Sequence, residues 1–189
     1  MLFRSIDGLV KKFGMPMGPF RLIDEVGIDI AVEVARLLGE VFKGRLQSSS
    51  VLDKMYEAGF KGKKSKKGFY IYQTGRKKRF NENVRRFLPG TKKEKASEVI
   101  QRMMYLMVNE AARCLEENVV ESPYEVDTGM IFGTGFPPFR GGLCRWADTE
   151  GLNLIVSTLE GFRQTHGKRF EPSPFLISRE RFYEANKPI

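Results

Sequence analysis

The stretch FGMPMGPFR, residues 13–21, recurs as FGTGFPPFR, residues 132–140. Phe-Gly at the start and Pro-Phe-Arg at the end are kept. Glycine and proline fix how one helix leaves a turn and the next enters it. A turn of this kind that occurs twice therefore points to a helical unit that occurs twice. In each copy an Asp in a helix-like segment, Asp7 or Asp127, precedes the turn, and Pro-Phe-Arg reads as the opening of a new helix. Chance recurrence of a short Phe-Gly-Pro turn is the alternative. The similar flanking helices weigh against it.

Apolar periodicity supports a helical reading along the chain. Residues 19–26 read as a short helix with Pro19 at its first position and Gly27 as its stop. Residues 28–42 keep the 3.6-residue period through Ile28, Ala31, Val34, Ala35, Leu38 and Val41. Residues 51–58 form a further helix ended by Gly59, and 69–72 should run extended. The longest helix is expected over 97–117, with Ile100, Met104, Met107, Val108, Ala111 and Leu115 in one stripe. Ser122-Pro123-Tyr124-Glu125 is a helix start with a capping Ser and a Glu that can reach back. A helix should follow Pro138, another covers 152–162, and a last one runs from Ser173-Pro174 through Phe182-Tyr183. The fold class is all-α, with two tandem helical repeats. The first covers 1–72 and lacks its leading helix, a basic linker covers 73–95, and the second repeat covers 96–189. The long helix before the second turn has no counterpart before the first, so the chain reads as a fragment cut inside its first repeat.

No apolar run approaches the roughly 20 residues that span a bilayer. The N-terminus lacks a signal-peptide core, and ANKPI is not the Ser-Lys-Leu address. Two cysteines, Cys114 and Cys144, are too few for a disulfide framework and read as free thiols in a reducing compartment. The net charge is +9, yet residues 61–95 hold 14 Lys plus Arg against Glu82 and Glu94. The basicity thus belongs to one segment. Its interleaved aromatics also suit single-stranded nucleic acid, but no nucleic-acid module surrounds it. A solvated, partly anchored connection is the preferred reading. Attraction of CoA phosphates or anionic lipid comes next.

GMPMGPFRLIDEVGID, followed by GKKSKKGFY, resembles the C-terminal domain of 3-hydroxyacyl-CoA dehydrogenases. VNEAARCLEENVV, VDTGMIFGTGFPPFRGGLCRWAD and HGKRFEPSPFL resemble a second copy of it. The tandem order is that of the large multifunctional β-oxidation enzymes, and the resemblance covers essentially the whole chain. It implies the C-terminal portion of an enzyme that oxidises 3-hydroxyacyl-CoA to 3-oxoacyl-CoA with NAD. It also implies two repeats packed as a pseudo-dimer, in the mitochondrial matrix or the bacterial cytoplasm. The implied partners are acyl-CoA, the parent's dinucleotide-binding domain, and a second copy or a thiolase subunit. Nucleic acid and a membrane surface are not among them. The alternative is a stand-alone, non-catalytic scaffold that binds acyl-CoA or a partner protein.

The family's catalytic His–Glu pair lies in the dinucleotide-binding domain, and no position here matches it. No G-x-G-x-x-G follows a strand in this sequence, so NAD belongs to the parent enzyme and the isolated chain is expected to be inactive. No catalytic, cofactor-binding or metal residue is assigned. His166, the only histidine, reads as a solvated or capping residue at a helix end. Cys114 reads as a packed thiol. Asp24, Glu25 and Asp29 read as helix-junction charges. The resemblance assigns one wall of the acyl-CoA cleft to Pro16, Met17, Gly18 and Pro19. The competing reading is that Met17 simply packs between helices. In the second copy Phe136-Pro137-Pro138 replaces Met-Gly-Pro, which fits a structural role for that copy.

Overall fold

The computed structural model describes residues 3–42, 44–46, 49–88, 90 and 94–183. Its contacts divide the chain into two units. One comprises Met1–Lys12 and Met17–Lys95; the other comprises Phe13–Pro16 and Ala96–Ile189.

In the first unit, α1 (Phe3–Phe13) leads to α2 (Pro19–Val26), α3 (Ile28–Val41) and α4 (Ser50–Glu57). Pro19 takes the first turn of α2, where its missing N–H costs nothing. Gly27, at φ 113°, ends α2 and turns the chain directly into α3. Such a φ is open to glycine and strained for other residues. Ile28 and Val32 of α3 pack with Met55 of α4 and with Phe60, Phe69 and Val84 into one core. Phe69 is held where Tyr70–Ile71 (β1) pairs antiparallel with Arg79–Phe80 (β2).

Within 73–95, expected as a linker, the described residues 79–87 carry structure of their own. They contain β2 and the 3-10 segment Glu82–Phe87. Val84 of that segment is fully buried. Asn81 is buried too, donating to the Gly68 carbonyl and accepting from the Asn83 N–H. The aromatic residues of this basic stretch are therefore anchors. Lys67 sits over Phe60, Lys78 over Tyr70 and Arg86 over Phe87.

The second unit is built on α5 (Ala96–Glu116), which packs on α7 (Leu143–Glu150), α8 (Leu152–His166) and α9 (Pro174–Ile177). The expected α5 stripe faces this core: Met104, Val108 and Ala111 are buried, and Ile100, Met107 and Leu115 pack around them. Between α5 and α7 lies α6 (Pro123–Gly129), which continues as the π-helical turn Met130–Thr134. Ser122 caps α6 by accepting from the Glu125 N–H, and Glu125 reaches back to the Glu121 N–H. Phe13 is buried in this unit, edge-on to Phe136 and to Trp146. The Arg140 guanidinium lies over the Phe13 ring and donates to the Phe13 carbonyl.

Two helix assignments differ from the sequence reading. Pro138–Arg140 forms a single 3-10 turn, and α7 starts only at Leu143. Gly141 and Gly142 both adopt positive φ and end that turn. The last helix stops at Ile177, and Phe182 and Tyr183 lie outside any helix. Their backbone N–H groups are taken by a side chain on α7, described next.

Candidate functional site

The turn expected to bear the site, residues 16–19, is set by one carboxylate. Asp7 on α1 accepts from the Phe20 N–H at 2.9 Å and the Arg21 N–H at 3.2 Å. These are orphan donors of the first turn of α2. A carboxylate there also meets the positive end of the helix dipole. Gly18, the N-cap, lies directly against Asp7: a Cβ on Gly18 would overlap the Asp7 carboxyl and backbone. Glycine is required here by contact, since φ is an ordinary −82°.

A second carboxylate extends the arrangement. Asp24, three residues after Arg21 and fully buried, accepts from the Phe69 and Tyr70 N–H groups at 2.9 and 2.8 Å and from the Tyr72 hydroxyl at 3.0 Å. The Tyr70 hydroxyl returns to Asp7 at 2.6 Å. The contacts close a ring: Asp7 holds α2, α2 carries Asp24, Asp24 holds β1, and β1 supplies Tyr70 to Asp7. Outside it, Glu25 pairs with Lys63 at 2.7 Å and Asp29 with Lys64 at 2.6 Å. These pairs tie the lysine-rich turn to α2 and the start of α3.

The second unit repeats the ring. Asp127 on α6 accepts from the Cys144 and Arg145 N–H groups at 2.6 and 3.2 Å. Asp148 on α7 accepts from the Phe182 and Tyr183 N–H groups at 2.7 and 3.0 Å. The Tyr183 hydroxyl returns to Asp127 at 2.8 Å. A Cβ on Gly142 would strike Asp127, as one on Gly18 would strike Asp7.

This geometry fixes the register of the duplication. Gly18, Arg21, Asp24 and Gly27 correspond to Gly142, Arg145, Asp148 and Gly151, and Phe69-Tyr70 to Phe182-Tyr183. The Pro-Phe-Arg of residues 138–140 is thus not the counterpart of Pro19-Phe20-Arg21. The signal stood in the sequence as G-x-x-R-x-x-D-x-x-G, present at 18–27 and again at 142–151. Matching literal Pro-Phe-Arg obscured it. Asp24 also differs from its reading as a junction charge: its carboxylate takes the N–H groups of Phe69 and Tyr70 where β1 begins.

Burial decides the ionisation of these groups. Desolvation raises the Asp24 carboxyl, against the N–H groups of Tyr70 and Phe69 that lower it. Burial likewise raises Asp127, opposed by the Cys144 N–H and the Tyr183 hydroxyl. Tyr72, Tyr183 and Cys144 are pushed upward by burial and by their carboxylate neighbours. The Cys144 thiol is therefore no nucleophile at neutral pH. Glu25 and Asp29 are lowered by the hydrogen bonds of Lys63 and Lys64.

Among the sequence-predicted wall residues, Met17, Gly18 and Pro19 belong to the first unit and Pro16 to the second. Pro16 is exposed, with its ring against Gly135. Met17 and Pro19 are half-buried, and Gly18 is buried. Phe136 of the second copy is fully buried in its core. His166 ends α8 between the Phe162 and Phe170 rings. Cys114 is half-buried on α5. Among the described residues, no cluster of His, Cys, Asp and Glu could hold a metal, and no helix is long and apolar enough to cross a membrane.

Comparison with known proteins assigns the arrangement. The family model of the 3-hydroxyacyl-CoA dehydrogenase C-terminal domain matches residues 2–72 and 99–187. The fatty acid oxidation complex subunit alpha of Shewanella amazonensis is 42% identical over 176 residues, which is 90% of this chain and 25% of that protein. The same subunit of Vibrio cholerae is 39% identical over 185 residues, 95% of this chain and 26% of that protein. The chain thus spans about a quarter of the length of these curated relatives. In fold it is similar to 3-hydroxybutyryl-CoA dehydrogenase from Escherichia coli, with a TM-score of 0.75, 19% identity and coverage of 95% of this chain and 54% of that one. It is also similar to the dehydrogenase part of multifunctional enzyme 1 from C. elegans, with a TM-score of 0.68, 24% identity and coverage of 94% and 42%. With both copies of the ring inside the matched residues, the chain belongs to the 3-hydroxyacyl-CoA dehydrogenase C-terminal domain family.

Proposed function

We propose that this chain is the paired C-terminal helical region of a multifunctional fatty-acid β-oxidation enzyme. In that enzyme, 3-hydroxyacyl-CoA is oxidised to 3-oxoacyl-CoA with NAD. The observation that carries the reading is the family match across both copies in one chain. The residues present do not fit NAD. The described elements are helices and two-residue strands, with no parallel sheet and no glycine-rich turn leaving one. No step through NAD is therefore assigned to them. In the parent enzyme the dinucleotide-binding domain holds the cofactor and the proton-transferring pair.

In this reading Pro16, Met17, Gly18 and Pro19 form one wall of the acyl-CoA cleft. Support comes from the half-buried, flexible Met17 on a turn whose next residues are locked by Asp7. A wall that does not move suits a thioester that must meet its oxidant in one geometry. The dinucleotide-binding domain is the partner across that cleft, with a thiolase subunit or a second copy as further partners. The second unit takes a structural role.

Calorimetric titration with acetoacetyl-CoA and with NAD tests the reading. The isolated chain is expected to bind no NAD and to oxidise no NADH with acetoacetyl-CoA. NADH turnover by the purified chain refutes the assignment. Acetoacetyl-CoA binding without NAD favours the second reading, a stand-alone acyl-CoA-binding scaffold.

A further inference from the structure

The basic segment does not offer its charge evenly. Lys63 pairs with Glu25 at 2.7 Å, Lys64 with Asp29 at 2.6 Å and Arg85 with Glu82 at 2.7 Å. Lys67 and Arg86 lie over the Phe60 ring. Lys78 is placed differently. Its ammonium stands 4.6 Å from the centre of the Tyr70 ring, and the Tyr70 hydroxyl is bonded to Asp7. The charge of Lys78 is thus set at the joint of β1, α1 and α2. Two further cations act on it there, Arg21 of α2 and Lys11 of α1. Lys11 follows Asp7 by one helical turn and shares its face of α1.

The carboxylates at this joint are engaged elsewhere. Asp7 already accepts from two N–H groups and the Tyr70 hydroxyl. Glu25 accepts from Lys63 and lies 3.7 Å from Arg21 Nε. That Nε is buried and has no hydrogen-bond partner among the described residues. Burial and the Arg21 charge lower the Lys78 ammonium from its ordinary value, with Lys11 adding to them and Asp7 and Glu25 opposing. An anion beside the three cations relieves their mutual repulsion. Arg21 also sits two residues after Pro19, in the turn that Asp7 fastens to the 16–19 wall.

We propose that Lys11, Arg21 and Lys78 form a subsite for the phosphate-bearing nucleotide end of CoA, beside the wall that meets the acyl end. The proposal rests on the acyl-CoA reading given above. Residues 16–19 carry no charge, so they cannot meet the phosphates of the molecule whose thioester they face. The cluster supplies what they lack: a guanidinium that can fork onto phosphate oxygens and two ammonium groups as point charges. The flexible pantetheine arm lets one molecule engage both. Each end then raises the effective concentration of the other.

The test follows the anisotropy of etheno-CoA, whose adenine fluoresces and which bears no acyl group, with the full chain. It is run at about 0.01 M ionic strength, where exposed charges act over about 30 Å. Saturable binding is expected, displaced by CoA and by adenosine bisphosphate but not by pantetheine. Lys78→Glu and Arg21→Glu are each expected to weaken it at least tenfold, and Lys11→Glu several-fold. Lys61→Glu makes the same charge change at an exposed lysine outside the cluster and is expected to change it less than twofold. Circular dichroism checks the fold of each variant, and either of the first two suffices if the other unfolds. No saturable binding, or equal loss in Lys61→Glu, overturns the proposal. Displacement by inorganic phosphate as strong as by adenosine bisphosphate overturns it in favour of a free-phosphate site. Because the probe carries no acyl group, failure of the subsite leaves the 16–19 wall standing. Failure of the wall, in turn, leaves displacement by adenosine bisphosphate unchanged.

Discussion

Gly18 has an unremarkable backbone, yet no other residue fits it, because its α-carbon lies on Asp7. Gly18→Ala is therefore expected to destabilise the first unit by about 1–3 kcal/mol through overpacking, read as a lower urea midpoint. Adding Asp7→Ala should relieve this only in part, since the Asp7 backbone is also in the way. Full additivity of the two changes in a double-mutant cycle would contradict the contact. Asp127→Ala leaves the Cys144 and Arg145 N–H groups without their acceptor and is expected to cost about 1–3 kcal/mol. A loss below about 0.5 kcal/mol would show that water takes over the cap. Asp24 makes a pH-dependent prediction. Its carboxyl is raised in the folded chain, so the native state holds that proton more tightly than the unfolded one. The stabilisation from the proton is complete below the ordinary aspartate value and is lost as pH rises through the folded value. The advantage of the wild type over Asp24→Asn should therefore be larger at about pH 3.5 than at about pH 7. The opposite trend in urea titrations at the two pH values would show that the N–H groups outweigh desolvation. At this scale the sequence was partly legible. Asp7, Asp127 and Gly18 were visible as members of the turn. The return of the Tyr70 and Tyr183 hydroxyls, from 63 and 56 residues away, was not, because no local pattern encodes a contact of that range.

The elements most readable from the sequence were those whose signals are local. Pro19 and Gly27 bracket α2, Ser122 and Pro123 open α6, and the 3.6-residue period of α5 marks the face that meets its core. The elements misread are those in which two glycines or a distant side chain intervene. Gly141 and Gly142 interrupt the chain between Pro138 and α7. Asp148 takes the N–H groups of Phe182 and Tyr183, which a longer α9 would have turned inward. The basic segment is the clearest case. Its composition reads as a linker, but Val84 fills the first core from within it. Val84→Ala is expected to destabilise the first unit by about 2 kcal/mol. Lys77→Ala, two residues before β2 and exposed, is expected to stay within about 0.5 kcal/mol. Equal, negligible effects in denaturant titrations would mean that the segment does behave as a linker.

For the molecule as a whole, the duplication is of wiring more than of sequence. Two rings of aspartate, helix terminus and tyrosine recur, while the literal match that first betrays the repeat lies partly outside them. The equivalent turn is locked in both units but carries a half-buried Met17 in the first where the second has Gly141. In the parent enzyme proposed above, Met17→Asp is expected to raise the KM for acetoacetyl-CoA at least tenfold with the NADH KM unchanged; unchanged kinetics would remove Met17 from the proposed wall. The single tryptophan has a further consequence. Trp146 lies in the second core, and its indole N–H has no hydrogen-bond partner among the described residues. Its emission should be blue-shifted in the native protein and should report that core alone. Excited at the red edge of protein absorption, the chain carries a built-in lamp for one half of itself. Its brightness can be set against the far-ultraviolet signal of all the helices, so the order in which the two halves come apart can be watched without a label.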